Sequence, residues 1–126
     1  MIENESAENY LETILMLSKR LPVVRSVDIA NELGFKKSSV SIAMKNLREK
    51  QHITVTDAGF IYLTDSGKNI AEMIYERHEF LSEWLIKLGV PSEIAIEDAC
   101  KIEHILSKES YGAIKDFVKV HLSGEV

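Results

Sequence analysis

The chain has 126 residues, of which 45% are hydrophobic, 28% charged and 7% aromatic, with two prolines and one cysteine. That is enough for one compact domain, or a small domain with a helical extension, and it excludes a large enzyme and global disorder. The net charge of −5 argues at first sight against nucleic acid, but six bases between Pro22 and Lys50 face three acids, whereas from Asn69 onward eleven acids outnumber six bases, so a mildly basic segment precedes an acidic one.

No apolar run exceeds four residues, Ile14 to Leu17 and Phe60 to Leu63 being the longest. A membrane span needs roughly 20. The start, Met1-Ile2-Glu3-Asn4-Glu5, is acidic where a secretory signal is basic. The expectation is a cytoplasmic protein with no membrane partner. Cys100 has no second cysteine with which to form an internal disulfide, so it is a packing residue, a reactive thiol or a metal ligand.

In chain order, Ser6 to Leu21 carries apolar residues at Ala7, Tyr10, Leu11, Ile14, Leu15, Leu17 and Leu21, the spacing of a buried helical stripe. Pro22-Val23-Val24 breaks it. Ser26 is the predicted cap of a short helix with Asp28 in its first turn and Ile29, Ala30 and Leu33 inward, ended by Gly34. Lys36-Lys37-Ser38-Ser39 opens a second short helix that buries Val40, Ala43, Met44 and Leu47 and leaves Ser41, Lys45 and Arg48 outside, which makes a helix-turn-helix. The period then changes to that of strands, Ile53 to Thr56 and Phe60 to Leu63 around Asp57-Ala58-Gly59, a hairpin placed as a wing. Thr64 caps a long helix striped by Ile70, Ile74, His78, Leu81, Leu85 and Leu88 and closed by Gly89. Pro91-Ser92 starts another with Ala95, Ala99, Ile102 and Leu106 on one face, and Ser107 caps a last one carrying Tyr111, Ile114, Phe117 and Val118. There is no internal repeat, low-complexity stretch or linker.

Two constellations carry chemistry. A winged helix-turn-helix reads DNA with its second helix, so Lys36 and Lys37 are placed to meet phosphates and Ser38, Ser39, Ser41, Ile42 and Lys45 to reach base edges or a thymine methyl. The plainer reading is a solvated basic face. In the acidic half, Cys100, Glu103 and His104 stand at i, i+3 and i+4 and are expected on one side of a helix; Asn9 and Glu12 are three apart in the first helix, and His78 interrupts an apolar stripe. Singly these read as a small buried cysteine, ordinary surface residues and a hydrogen-bonded core histidine. Together they offer the carboxylate, imidazole, thiolate and amide donors of a site for a divalent ion of the Mn, Fe, Co or Zn group.

The order of elements, the run Glu97-Asp98-Ala99-Cys100-Lys101-Ile102-Glu103-His104-Ile105-Leu106-Ser107, the start Ser6-Ala7-Glu8-Asn9-Tyr10-Leu11-Glu12, Ser38-Ser39-Val40-Ser41, Leu63-Thr64 through Gly67, and Tyr75-Glu76-Arg77-His78 together resemble the diphtheria-toxin-repressor and manganese-transport-regulator family over essentially the whole chain. The resemblance implies a mainly α protein in which an N-terminal winged helix-turn-helix (residues 1–70) precedes an all-helical metal-binding and dimerisation domain (residues 71–126), a short form without the SH3-like domain of the iron-dependent branch. It implies a homodimeric repressor of metal-uptake genes, not an enzyme, that binds a palindromic double-stranded operator when Fe(II) or Mn(II) joins the first helix to the dimerisation helices. Co(II) or Zn(II) are alternatives in vitro. The metal shell it points to is Asn9, Glu12, His78, Cys100, Glu103 and His104.

Three positions depart from the manganese-type pattern: Asn9 replaces an aspartate, Cys100 replaces a glutamate, and Ser82 stands where an acid helps to hold a second ion. Two other readings remain open on the residues alone. One is a winged-helix regulator whose acidic half dimerises without sensing metal; the other is a small metal-dependent hydrolase with Glu103 as general base, although no Gly-rich phosphate cradle accompanies it.

Overall fold

The computed structural model describes residues 2–121, with side chains described from Ser6 onward. The elements are α1 (Ile2–Arg20), α2 (Ser26–Leu33), α3 (Lys37–Glu49), β1 (Ile53–Val55), β2 (Ile61–Leu63), α4 (Asp65–Lys87), α5 (Ser92–Ile102) and α6 (Lys108–His121). They divide into two compact units, one covering residues 2–75 and one beginning at Glu76. The outer ends of the expected 1–70 and 71–126 division, residue 1 and residues 122–126, lie outside the described residues.

In the first unit, α1 packs against α2, α3 and β2. Its stripe of Tyr10, Leu11, Ile14, Leu15 and Leu17 is buried with Val24, Ile29, Ala30, Val40, Met44, Leu47, Ile53, Ile61 and Ala71 in one apolar cluster. Each fully buried Leu or Ile there contributes about 1.5–3 kcal/mol, so this cluster dominates the stability of the unit. The cap of α2 is Arg25 rather than the expected Ser26: Arg25 is extended, and the Asp28 carboxylate accepts its backbone N–H at 2.9 Å, which leaves Ser26 inside the first turn. Gly34 closes α2 at φ +70°, a left-handed conformation that glycine adopts without a Cβ penalty.

The wing is an antiparallel pair with Ile53 opposite Leu63 and Val55 opposite Ile61. Val24, read from sequence only as part of a helix break, pairs with Ile61, whose N–H donates to the Val24 carbonyl at 2.8 Å. Thr64 caps α4 as expected, accepting the Gly67 N–H at 3.2 Å. Gly67 itself permits a close approach, since a Cβ there would lie 2.0 Å from the His52 carbonyl oxygen.

In the second unit the apolar interior is small: Leu81, Ala95 and Ala99 are buried, beside the polar Arg77, Ser82, Glu103 and His104. Leu88, expected on the inner stripe of α4, is exposed, because α4 ends at Lys87 and the chain turns at Gly89, φ +104°, with the Val90 N–H on the Leu85 carbonyl. The helix expected to run on to Leu106 stops at Ile102, and the chain turns through residues 103–106 before Ser107 caps α6 by accepting the Ser110 N–H at 3.0 Å. No described side chain of α6 is buried.

Candidate metal centre and nucleic-acid interface

In the unit beginning at Glu76, α4 supplies His78, the last turn of α5 supplies Cys100, and the turn after α5 supplies Glu103 and His104. Cys100, Glu103 and His104 therefore do not share one face of a continuous helix, as the spacing had implied. Glu103 is the C-cap of α5, with its N–H on the Ala99 carbonyl, and His104 follows it out of the helix. The three groups diverge in environment: Cys100 is exposed, whereas Glu103 is 0% exposed and His104 is buried. A buried packing cysteine is thus excluded.

The donor atoms nonetheless come together. His78 Nδ1 lies 3.0 Å from Glu103 Oε2, and single donor atoms of His78, Cys100 and Glu103 all fall within 4.8 Å of one another. Glu103 Oε1 lies 3.4 Å from His104 Nε2 but has no hydrogen-bond partner, and Ser82 Oγ, one turn along α4 from His78, is likewise buried without one. A buried carboxylate oxygen left unpaired is costly. An imidazole, a carboxylate and a thiol at this separation form a donor set that fits a divalent first-row ion. In the first unit Asn9 and Glu12 stand one turn apart on α1; Glu12 is buried, against its reading as an ordinary surface residue, and Asn9 is half-buried, with its carbonyl accepting the Thr13 hydroxyl at 2.8 Å.

Sequence reasoning missed Arg77. It is buried, and its Nη1 donates to the carbonyls of Glu103 at 3.2 Å and Leu106 at 2.9 Å while its guanidinium stacks on Tyr111, 4.7 Å from the ring centroid. A charged residue next to a histidine on a helix otherwise striped with apolar side chains was the available signal.

On the other candidate surface, Lys36, Lys37, Ser38, Ser39, Ser41, Ile42 and Lys45 are all exposed at the start and along the outer face of α3, while Val40, Met44 and Leu47 point into the core. Ile42 is 63% exposed, an aliphatic group left to solvent with no packing reason in the unit. The first turn of α3 contains no acid, so two lysines and the helix dipole act in the same sense toward an anion. The wing adds exposed Thr54, Thr56 and Tyr62.

The family described as "Iron dependent repressor, N-terminal DNA binding domain" matches residues 4–57, and "Iron dependent repressor, metal binding and dimerisation domain" matches residues 64–121. The chain is 32% identical over 117 residues to "Transcriptional regulator MntR" of Escherichia coli O6:H1, covering 93% of this chain and 76% of that protein. It is 34% identical over 114 residues to "HTH-type transcriptional regulator MntR" of Bacillus subtilis strain 168, covering 90% and 80%. Among solved structures, IdeR of T. acidophilum superposes with a TM-score of 0.74 at 28% identity, covering 87% of this chain and 53% of that one, so the chain spans about half the length of this structural relative. With both halves matched, the chain belongs to the iron-dependent repressor family of metal-responsive, DNA-binding transcriptional repressors.

Proposed function

We propose that this protein is a cytoplasmic repressor of metal-uptake genes that binds a palindromic operator as a homodimer when Fe(II) or Mn(II) is bound. Residues 1–70 read DNA, and residues 71–126 hold the second copy and supply His78, Cys100, Glu103 and His104 to the metal. The carrying observation is Glu103, a fully buried carboxylate with His78 at 3.0 Å, Cys100 within reach and one oxygen that makes no hydrogen bond. Asn9, Glu12 and His104 complete the shell. A bound divalent ion supplies positive charge that offsets Glu12 and Glu103 and favours one arrangement of the reading heads over the many an apo dimer samples.

The chain's own residues do the rest. Lys36 and Lys37 hold phosphates, and Ser38, Ser39, Ser41, Ile42 and Lys45 enter the major groove. Phe117 and Val120, 59% and 75% exposed on α6, and an apolar groove of about 480 Å³ lined by Trp84, Leu88, Ile114 and Val118 supply surface for a second copy. The thiolate of Cys100, softer than the carboxylate of manganese-type members, shifts preference toward Fe(II), and Asn9 withholds one negative charge.

The test selects duplexes from a randomised DNA pool in the presence of Mn(II). Affinity for them is then titrated with Mn(II), Fe(II), Co(II), Zn(II) and chelator, for the natural chain and for Cys100→Glu. Metal-strengthened binding, with a swing toward Mn(II) in the variant, supports the reading. Equal affinity with chelator would favour a winged-helix regulator that dimerises without sensing metal.

A further inference from the structure

Glu103 is gripped at both ends by adjacent residues of α4. His78 meets its carboxylate at 3.0 Å, and Arg77 donates to its backbone carbonyl at 3.2 Å. The same Arg77 nitrogen donates at 2.9 Å to Leu106 O, so one guanidinium spans the whole turn from the end of α5 to the start of α6. These are carbonyls that the change of direction leaves over. The N–H that would reach Leu106 O in a continued helix belongs to Ser110, and it donates to Ser107 Oγ instead. Tyr111, on α6, covers the guanidinium face, and Phe80 meets the Tyr111 ring in a T-shaped contact at a centroid separation of 5.7 Å.

We propose that Arg77 is the positioning residue of the metal site: by fixing the Glu103–Leu106 turn against α4 it sets where the Glu103 carboxylate and the His104 imidazole stand relative to His78. The inference rests on the metal-binding reading above. The alternative that physics offers has the opposite sign. A buried cation close to a metal site repels a divalent ion, so Arg77 acting through its charge alone would weaken binding, and its removal would tighten it. The geometry favours positioning, because Nη1 of the guanidinium bonds two carbonyls of the ligand-bearing turn rather than a carboxylate, while the buried Nε makes no hydrogen bond, and residues that orient metal ligands typically control affinity by about 10- to 100-fold.

Co(II) is the probe, because its visible spectrum reports the ligand set directly. The natural chain, Arg77→Lys, Arg77→Met and Tyr111→Leu are titrated with Co(II), and each metal-free form is melted by circular dichroism. Arg77→Lys keeps the charge but, with a shorter side chain, draws the donor nitrogen back from the two carbonyls. Tyr111→Leu only loosens the guanidinium from its half-buried stacking partner, and so keeps the question open to measurement if Arg77→Met fails to fold. The expected result is a Co(II) Kd weakened about 10- to 100-fold in both Arg77 variants and by less in Tyr111→Leu, with an altered spectrum at saturation. Unchanged Kd and spectrum in Arg77→Lys and Tyr111→Leu, with only the metal-free melting temperature lowered, would make Arg77 a purely structural residue. Tighter binding in Arg77→Met would assign the effect to charge. A natural chain that takes up no Co(II) would overturn the metal-binding reading itself, and with it this one.

Discussion

Among the described residues between Tyr10 and Ile74 the buried side chains are apolar apart from Glu12, Thr13 and the hydroxyl of Tyr10, whereas among those from Glu76 onward Arg77, Ser82, Glu103 and His104 are buried beside only Leu81, Ala95 and Ala99. The first unit closes its own core. The second unit buries more hydrogen-bonding and ionisable groups than large apolar ones, leaves Ser82 Oγ and Glu103 Oε1 without a hydrogen bond, and exposes Ile94, Ile96, Ile105, Phe117 and Val120. A polar interior of this kind suits a cation, and an apolar exterior of this kind suits a partner surface. The lesson is that a reading head must be rigid in either regulatory state, while a sensor gains by being stabilised only when its ligand arrives.

The sharpest way to separate the two halves is Ile29→Ala, at a fully buried position of the first unit. Truncation to alanine there removes packed methyl groups and leaves a cavity, so denaturant unfolding monitored by circular dichroism should show a loss of about 2–5 kcal/mol. The increment that Mn(II) adds should remain. If that increment vanished too, the two units would share their stability and the contrast would fall.

Glu103→Gln attacks the other side. An ion at 100 times its Kd stabilises the folded state by about 2.7 kcal/mol, and the variant should lose nearly all of that difference between thermal melts with and without Mn(II). Its metal-free stability should stay within about 1 kcal/mol of the natural chain, because an amide retains hydrogen-bonding capacity beside His78 and removes a buried charge. A metal increment equal to the natural chain's would place the ion elsewhere.

These two experiments also mark how far the residues alone could be read. The five apolar positions of α1 that reach the core, the inward Val40, Met44 and Leu47, the wing and the caps at Thr64 and Ser107 were all legible, because each follows from a local period or a local hydrogen bond. The end of α5 was not. Ile102 to Ser107 contains no glycine or proline, and what accompanies its turn is Arg77, 26 and 29 residues away, taking the carbonyls of Glu103 and Leu106. The pairing of Val24 with Ile61 was hidden for the same reason. The proximity of His78, Cys100 and Glu103 was suspected from residue chemistry, but spacing alone did not foresee that Glu103 would be buried and Cys100 exposed.

A smaller effect probes the outer face of the reading head. Replacing both Lys36 and Lys37 by alanine removes two exposed charges from the start of α3. The slope of log affinity against log salt for a selected duplex should fall by about one to two units, with weakening shared by all sequences. Metal affinity should not change, which keeps the two halves separable. An unaltered slope would move the phosphate contacts away from α3.

The smallest effect lies at the junction of α3 and the wing. Gln51 is left-handed at φ +65°, a conformation that costs a residue with a Cβ about 1–2 kcal/mol. It sits at the position after the α3 cap where glycine is usual, with the His52 N–H reaching back to the Leu47 carbonyl at 3.0 Å. The structure holds Gln51 there through its backbone: its carbonyl accepts the Thr64 hydroxyl at 2.7 Å and the Ser66 hydroxyl at 3.2 Å, and neither bond uses the side chain. Gln51→Gly should therefore keep every one of these contacts and relieve the Cβ, offset in part by the greater freedom of glycine in the unfolded chain. The expected net gain is about 0.5–1 kcal/mol in denaturant unfolding. Gln51→Ala, which retains the Cβ, should show none of it. If the glycine variant is instead destabilised, the glutamine side chain itself holds the wing to α3, and the junction is less purely a matter of backbone geometry than its hydrogen bonds imply.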